Sequence, residues 1–97
     1  ALYYNKAAEN SEVMRNLGTS AEENKLYDTL KAEMDGLFEK SLPYFQEVEK
    51  INANDRNALI ALKEIYAKKG DLEKSVEFKN RINVIDGGGS NESSFFN

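Results

Sequence analysis

Residues 66–78 read YAKKGDLEKSVEF. A tyrosine and two lysines run up to a Gly-Asp pair, and a second apolar series, Leu72, Val76 and Phe78, starts directly after it. Lys68 and Lys69 carry the charge that suits the carbonyl end of a helix, and Gly70 offers a stop without a Cβ clash. Asp71 is a good cap for a new start, its carboxylate accepting from the free N–H groups of the next first turn. One helix therefore ends and another begins within a very short turn, which predicts an antiparallel helical hairpin.

Working upstream, NANDRN at 52–57 is a polar turn in which Asn54 or Asp55 can cap a helix carrying Leu59, Leu62, Ile65 and Tyr66. Before the turn, Leu26, Leu30, Met34, Leu37, Ser41, Phe45 and Val48 advance in steps of four or three, widened by Tyr27, Phe38, Leu42, Tyr44 and Ile51. Gly36 and Pro43 interrupt this segment, and Pro in a helix interior costs about 3 kcal/mol. The alternative is a break at Asp35-Gly36, but the apolar phase survives both residues, so one long helix bent near Pro43 is expected. At the start of the chain, Tyr3, Ala7, Asn10, Met14 and Leu17 form a further helical face. Gly18 then reads as its left-handed stop, followed by two overlapping capping boxes, Thr19 with Glu22 and Ser20 with Glu23. Downstream, Leu72, Ser75, Val76, Phe78, Lys79 and Ile82 carry the last helix, with the Lys79 stem lying along apolar surface.

The expectation is an all-α fold of four helices at about 2–17, 20–51, 56–69 and 72–85, paired as two antiparallel hairpins. Leu37, Leu42, Phe45, Val48, Leu59, Leu62, Tyr66, Val76 and Ile82 are its predicted core. The helical domain is expected over 1–85, followed at 86–97 by DGGGSNESSFFN, whose three glycines and lack of periodicity predict a flexible tail. Phe95 and Phe96 at its end either dock against protein or hang free. Asn91-Glu92-Ser93 matches a glycosylation sequon, a three-residue pattern of little specificity.

Ninety-seven residues suit one small core. The chain contains no Cys and no His, which removes thiolate and imidazole chemistry, disulfides and the commonest zinc and haem ligands. A cysteine-free domain suits cytoplasm and bacterial periplasm equally. No apolar run approaches the roughly 18 residues of a membrane span, and Ala1 is not expected to open a signal peptide, the alternative being a piece of a longer chain whose targeting sequence lies outside it. The net charge of -4 argues against nucleic acid, although residues 56–82 hold seven basic groups against four acidic ones, an excess ordinary for solvated helices. Asp35 and Glu39 form an i,i+4 carboxylate pair. Acid/base work needs a desolvated pocket that separates two pKa values, and two short hairpins offer little concavity. No catalytic residue, cofactor or metal is therefore expected.

At an offset of 34 residues Ser41 falls on Ser75, Phe38 on Leu72, Leu42 on Val76 and Val48 on Ile82. That period and the wording NALIALKEIYAKKGDLEKSVEFKNRI at 57–82 resemble the tetratricopeptide repeat family. Leu59, Leu62, Tyr66, Gly70 and Ser75 match its large, aromatic, turn and small positions, whereas Ile82 stands at a normally small one. LFEKSLPYFQEVEKINAND at 37–55 is similar to the second helix of a preceding repeat with Ala53 in place of the usual proline, and 1–17 to its distant first helix. The chain thus resembles Bacteroidetes repeat proteins with a lengthened hairpin. The resemblance implies a long second helix that projects beyond its partner and leaves Leu26, Tyr27 and Leu30 partly uncovered, a surface suited to protein contact.

What the resemblance implies for function is a non-catalytic scaffold that binds a protein or peptide on its first helices. Carried over residue by residue, that face holds Tyr3, Tyr4 and Ala7, and Asn57, Ile60, Ala61, Glu64, Ala67 and Lys68. Tyr3 and Tyr4 read equally well as groove anchors or as hairpin core. Ile60, Ala61 and Glu64 replace the Lys, Asn and Arg of the family's carboxylate clamp, which argues against a C-terminal carboxylate ligand. The alternative is a structural capping or self-association unit of a longer helical array, a weak homo-oligomer formed through Leu26, Tyr27, Leu30, Phe95 and Phe96.

Overall fold

A computed structural model describes residues 2–18 and 20–96. They form four helices, α1 (Leu2–Arg15), α2 (Ala21–Ile51), α3 (Arg56–Lys68) and α4 (Leu72–Asp86), with no strand among the described residues. The all-α, hairpin-built fold is the one expected. The chain gathers into two compact units, Ala1–Ser41 and Leu42–Asn97, and the boundary falls inside α2. That helix runs without a break through Gly36 and Pro43. The continuous apolar phase outweighs the local penalties of both residues.

In the first unit, α1 lies antiparallel to the early part of α2. Tyr4 meets Phe38 with ring centroids 5.8 Å apart, Asn10 Nδ2 donates to the Leu30 carbonyl at 3.5 Å, and Lys40 Nζ stands 5.5 Å from the Tyr3 ring centre. Ala7, Asn10 and Met14 are buried on α1, and Met34, Phe38 and Ser41 on α2. The overhang expected of α2 is shorter than foreseen, because α1 runs alongside it from Leu30 to Phe38, although Leu26 and Tyr27 stay exposed and Leu30 half-buried as expected. A link as short as 16–20 sends α2 directly back along its predecessor.

One detail of that link differs from expectation. Asn16 and Leu17 close it with backbone bonds to Val13 and Met14, and Gly18 does not take the left-handed conformation expected of it. Instead Gly18 N–H donates to Glu23, while Ser20 Oγ accepts from Glu23 N–H at 3.2 Å and donates to its carboxylate at 2.8 Å. The Gly18 N–H, with the Ser20 hydroxyl second, holds the Glu23 carboxyl below the usual carboxylate range. This is the Ser20 box of the two expected. Thr19, the cap of the other, lies outside the described residues.

The second unit is built on the α3–α4 hairpin. Asp55 caps α3, its Oδ1 accepting from Ala58 N–H at 3.1 Å, and Asp71 caps α4 through Lys74 N–H at 3.2 Å. The turn between them is a Schellman motif. Gly70 N–H donates to Ala67 O and Asp71 N–H to Tyr66 O, with Gly70 at φ +82. Ser75 Oγ reaches across to the Lys63 carbonyl at 3.0 Å, the close approach its small size predicts. Leu42, Phe45, Leu59, Leu62, Ile65, Tyr66, Phe78 and Ile82 are buried, and Gln46 of α2 donates to the Tyr66 hydroxyl at 3.1 Å.

Several core expectations are corrected. Val76 is 54% exposed and Leu72 66%, because the inward ridge of α4 runs through Ser75, Phe78 and Ile82 instead. Tyr44 and Ile51 also face solvent, and Leu37 and Val48 are half-buried. The 34-residue offset therefore aligns the serines but not the burial around them.

Gly36 supplies a direct check on α2. A Cβ added there meets nothing within 4 Å, and the residue is exposed in a helix interior. Gly36→Ala is expected to stabilise the protein by about 1 kcal/mol through helix propensity alone, read as a rise in denaturant midpoint at unchanged slope. A loss of stability would mean that the helix is not intact at this position in solution.

Candidate functional site

The residues carried over as a binding face divide between the two units. In the first, Tyr3 is 45% exposed beside Lys40, whereas Tyr4 is half-buried against Phe38 and so belongs largely to the hairpin interior. Ala7 is fully buried. In the second, Asn57, Glu64, Ala67 and Lys68 are exposed on α3 and Ile60 is half-buried, an outward stripe at helical spacing. Ala61 is corrected: at 2% exposure it lies in the core beside Ala58 and Leu62 and offers no surface to a partner. Of the self-association residues, Leu26 and Tyr27 are exposed and Leu30 is half-buried.

Phe95 and Phe96 are placed differently from a free tail end. The glycines at 87–89 close α4 by a second Schellman motif, in which Gly88, at φ +89, donates to Ile85 O and Gly89 to Val84 O. The chain turns back there, and both rings come to Phe78, with centroids 5.1 and 5.8 Å away. Phe78 itself is fully buried and stacks on Tyr66 at 5.8 Å with a 4° interplanar angle. Composition predicts a tail without such contacts, since the same glycines serve a linker and a helix stop.

Three side chains of the helical body hold this segment by its main chain. Asn54 spans residue 91, its Oδ1 accepting from Asn91 N–H at 2.6 Å and its Nδ2 donating to Asn91 O at 3.2 Å. Arg81 Nη1 donates to Ser93 O at 2.7 Å. Glu49 Oε2 accepts from Phe95 N–H at 2.7 Å, and its Oε1 accepts from the Ser94 hydroxyl. Glu49 has no exposed surface, and Arg81 Nη1 stands 3.9 Å from its carboxylate. The Arg81 guanidinium also lies 5.7 Å from the Phe95 ring centre. Among the described residues no buried side-chain nitrogen or oxygen lacks a partner.

Open hollows flank the segment along α4. One of about 330 Å³ is lined by Asp71, Glu73, Lys74, Glu77 and Phe95. Another of about 200 Å³ lies among Glu77, Arg81, Val84, Asn91 and Ser93. At the first, Lys74 Nζ pairs with Asp71 at 2.9 Å. The side-chain bond to Lys74, with the Lys74 backbone N–H second, holds the Asp71 carboxyl below its ordinary value. The same pair raises Lys74 above its own ordinary value.

Sequence reasoning passed over Glu49 and Arg81, and read Asn54 only as a candidate cap and Asn91 only as part of a sequon. One signal for Glu49 was present: Phe38, Leu42, Phe45 and Glu49 advance by four, three and four, so the carboxylate stands in phase with the buried seam. Among the described residues no helix is long and apolar enough to cross a membrane, and no group of three His, Cys, Asp or Glu side chains is placed to hold a metal. Compared with known proteins, the chain matches no family model, no curated protein and no solved structure.

Proposed function

We propose that the chain is a non-catalytic helical-repeat module of the tetratricopeptide kind, which binds a protein or peptide. The supporting observation is the outward side of α3, where Asn57, Glu64 and Lys68 stand exposed around half-buried Ile60 on a hairpin fixed by two capping aspartates and a Schellman turn. A stripe mixing both charges with an aliphatic centre suits a partner with an apolar anchor and a polar rim. The test selects a random peptide library on the immobilised protein and repeats it on Glu64→Lys and Lys68→Glu, both at exposed positions. Enriched peptides are expected to lose roughly tenfold in affinity with either variant, the scale of 1.4 kcal/mol at an interface. Undiminished binding in both removes α3 as the contact face.

A second reading, that the chain packs within a longer helical array, is favoured by one observation. Leu72, Val76 and Val84 of α4 stand 66%, 54% and 43% exposed, a run of apolar side chains of the kind that a further hairpin would cover.

A further inference from the structure

We propose that Asn54, Arg81, Glu49 and Phe78 form a peptide-binding notch, whose resident occupant is the chain's own 91–96 segment and whose external ligand is a partner protein's segment with a hydroxyl residue followed by two aromatics. The inference stands apart from the α3 reading, since it uses none of the residues of that stripe.

The hydrogen bonds carry the argument. Asn54, Arg81 and Glu49 take the main chain of residues 91, 93 and 95, every second residue of the segment. A tail that merely covered Phe78 would need only apolar surface. Burying a carboxylate costs free energy unless partners replace its water, and here the Ser94 hydroxyl and the Phe95 N–H do so. Backbone capture gives affinity for any segment of the right shape, and the side chains supply selectivity. Here the selective contacts are the Asn91 side-chain amide, which donates to the Arg81 carbonyl at 3.1 Å, the Ser94 hydroxyl on Glu49, and Phe95 and Phe96 on Phe78. Both rings remain half-exposed, and the hollows beside Phe95 and Asn91 extend the notch along α4 past the part the tail fills. A longer segment thus finds surface the tail leaves unused.

The tether explains why the notch is closed at rest. A segment joined through a short link competes at an effective concentration of about 1 mM, so an external ligand binds in proportion to the fraction of time the tail is out. Loosening the tail while keeping the notch therefore raises apparent affinity for a free peptide.

The test titrates the full chain with an acetylated peptide of the sequence SNESSFFN, residues 90–97, following amide chemical shifts. The wild-type chain is expected to bind it weakly. The double variant Ser94→Ala, Phe95→Ala is expected to bind at least roughly tenfold more tightly, matching a tenfold rise in open fraction. The shifts should fall on Glu49, Asn54, Phe78 and Arg81, and adding Asn54→Ala should reverse the gain. If the double variant loses its helical circular dichroism, Ser94→Ala alone serves with the same expected direction. No tighter binding in a folded, loosened variant overturns the proposal, as does binding insensitive to Asn54→Ala or equal binding of a peptide with both phenylalanines replaced by alanine. A wild-type dimer that the tail substitutions abolish would instead seat a second copy's tail in the notch and overturn the partner reading.

Discussion

Phe78→Ala is expected to cost about 3–5 kcal/mol, a large share of the roughly 5–15 kcal/mol that holds a small domain together. Phe78 is fully buried and touches three other rings, Tyr66, Phe95 and Phe96. Removing it leaves a cavity where the α3–α4 hairpin and both rings of the returning chain meet. Phe78→Leu, which keeps most of the volume, should cost less than about 1.5 kcal/mol. Denaturant unfolding compares the two. A cost for alanine no greater than that for leucine would mean that the aromatic cluster is absent in solution.

Glu49→Ala is the second large effect, with an expected cost of about 2–3 kcal/mol, since hydrogen bonds to a charged group contribute more than neutral ones. It strips partners from Phe95 N–H and the Ser94 hydroxyl and removes the buried carboxylate beside Arg81. Its signature differs from that of Phe78→Ala. The Asp55 and Asp71 caps and the Schellman turn do not involve Glu49, so the hairpin should persist while amide exchange at 91–96 accelerates. Exchange unchanged at Phe95 would show that the carboxylate does not hold the tail.

The hairpin was legible because its signals are local and redundant. Lys69, Gly70 and Asp71 each favour the same stop and start, and the structure uses Gly70 and Asp71 as expected. Which side of α4 faces inward was not legible. Leu72, Val76 and Val84 offer one apolar side and Phe78 with Ile82 another, so helical periodicity alone does not choose between them. The length of α2 was read correctly from its phase, but not the run of α1 beside it, which follows from the short link between them. The proposed binding face was half legible: the positions implied by the resemblance place Asn57, Glu64 and Lys68 outward, yet the same resemblance gave Ala61, which closer packing takes into the core. The Glu49, Asn54 and Arg81 contacts were not legible, because sequence patterns announce helix ends and faces, whereas these partners meet only after the chain has turned back at 87–89.

The separation of those partners bears on the order in which the molecule assembles. Ser75 and Lys63 are 12 residues apart and lie within one hairpin, whereas Asn54 meets Asn91 across 37 residues and Glu49 meets Ser94 across 45. Contacts between distant residues require a larger loop to close before they repay its entropy. The hairpin should therefore be in place at the folding barrier, with the tail contacts forming on its far side. Weakening those contacts then leaves the refolding rate nearly untouched and speeds unfolding, so the returning segment governs how long the native state lasts rather than how quickly it is reached. Stopped-flow refolding and unfolding of the Ser94→Ala chain separate the two rates, and an effect confined to refolding would place tail docking before the barrier.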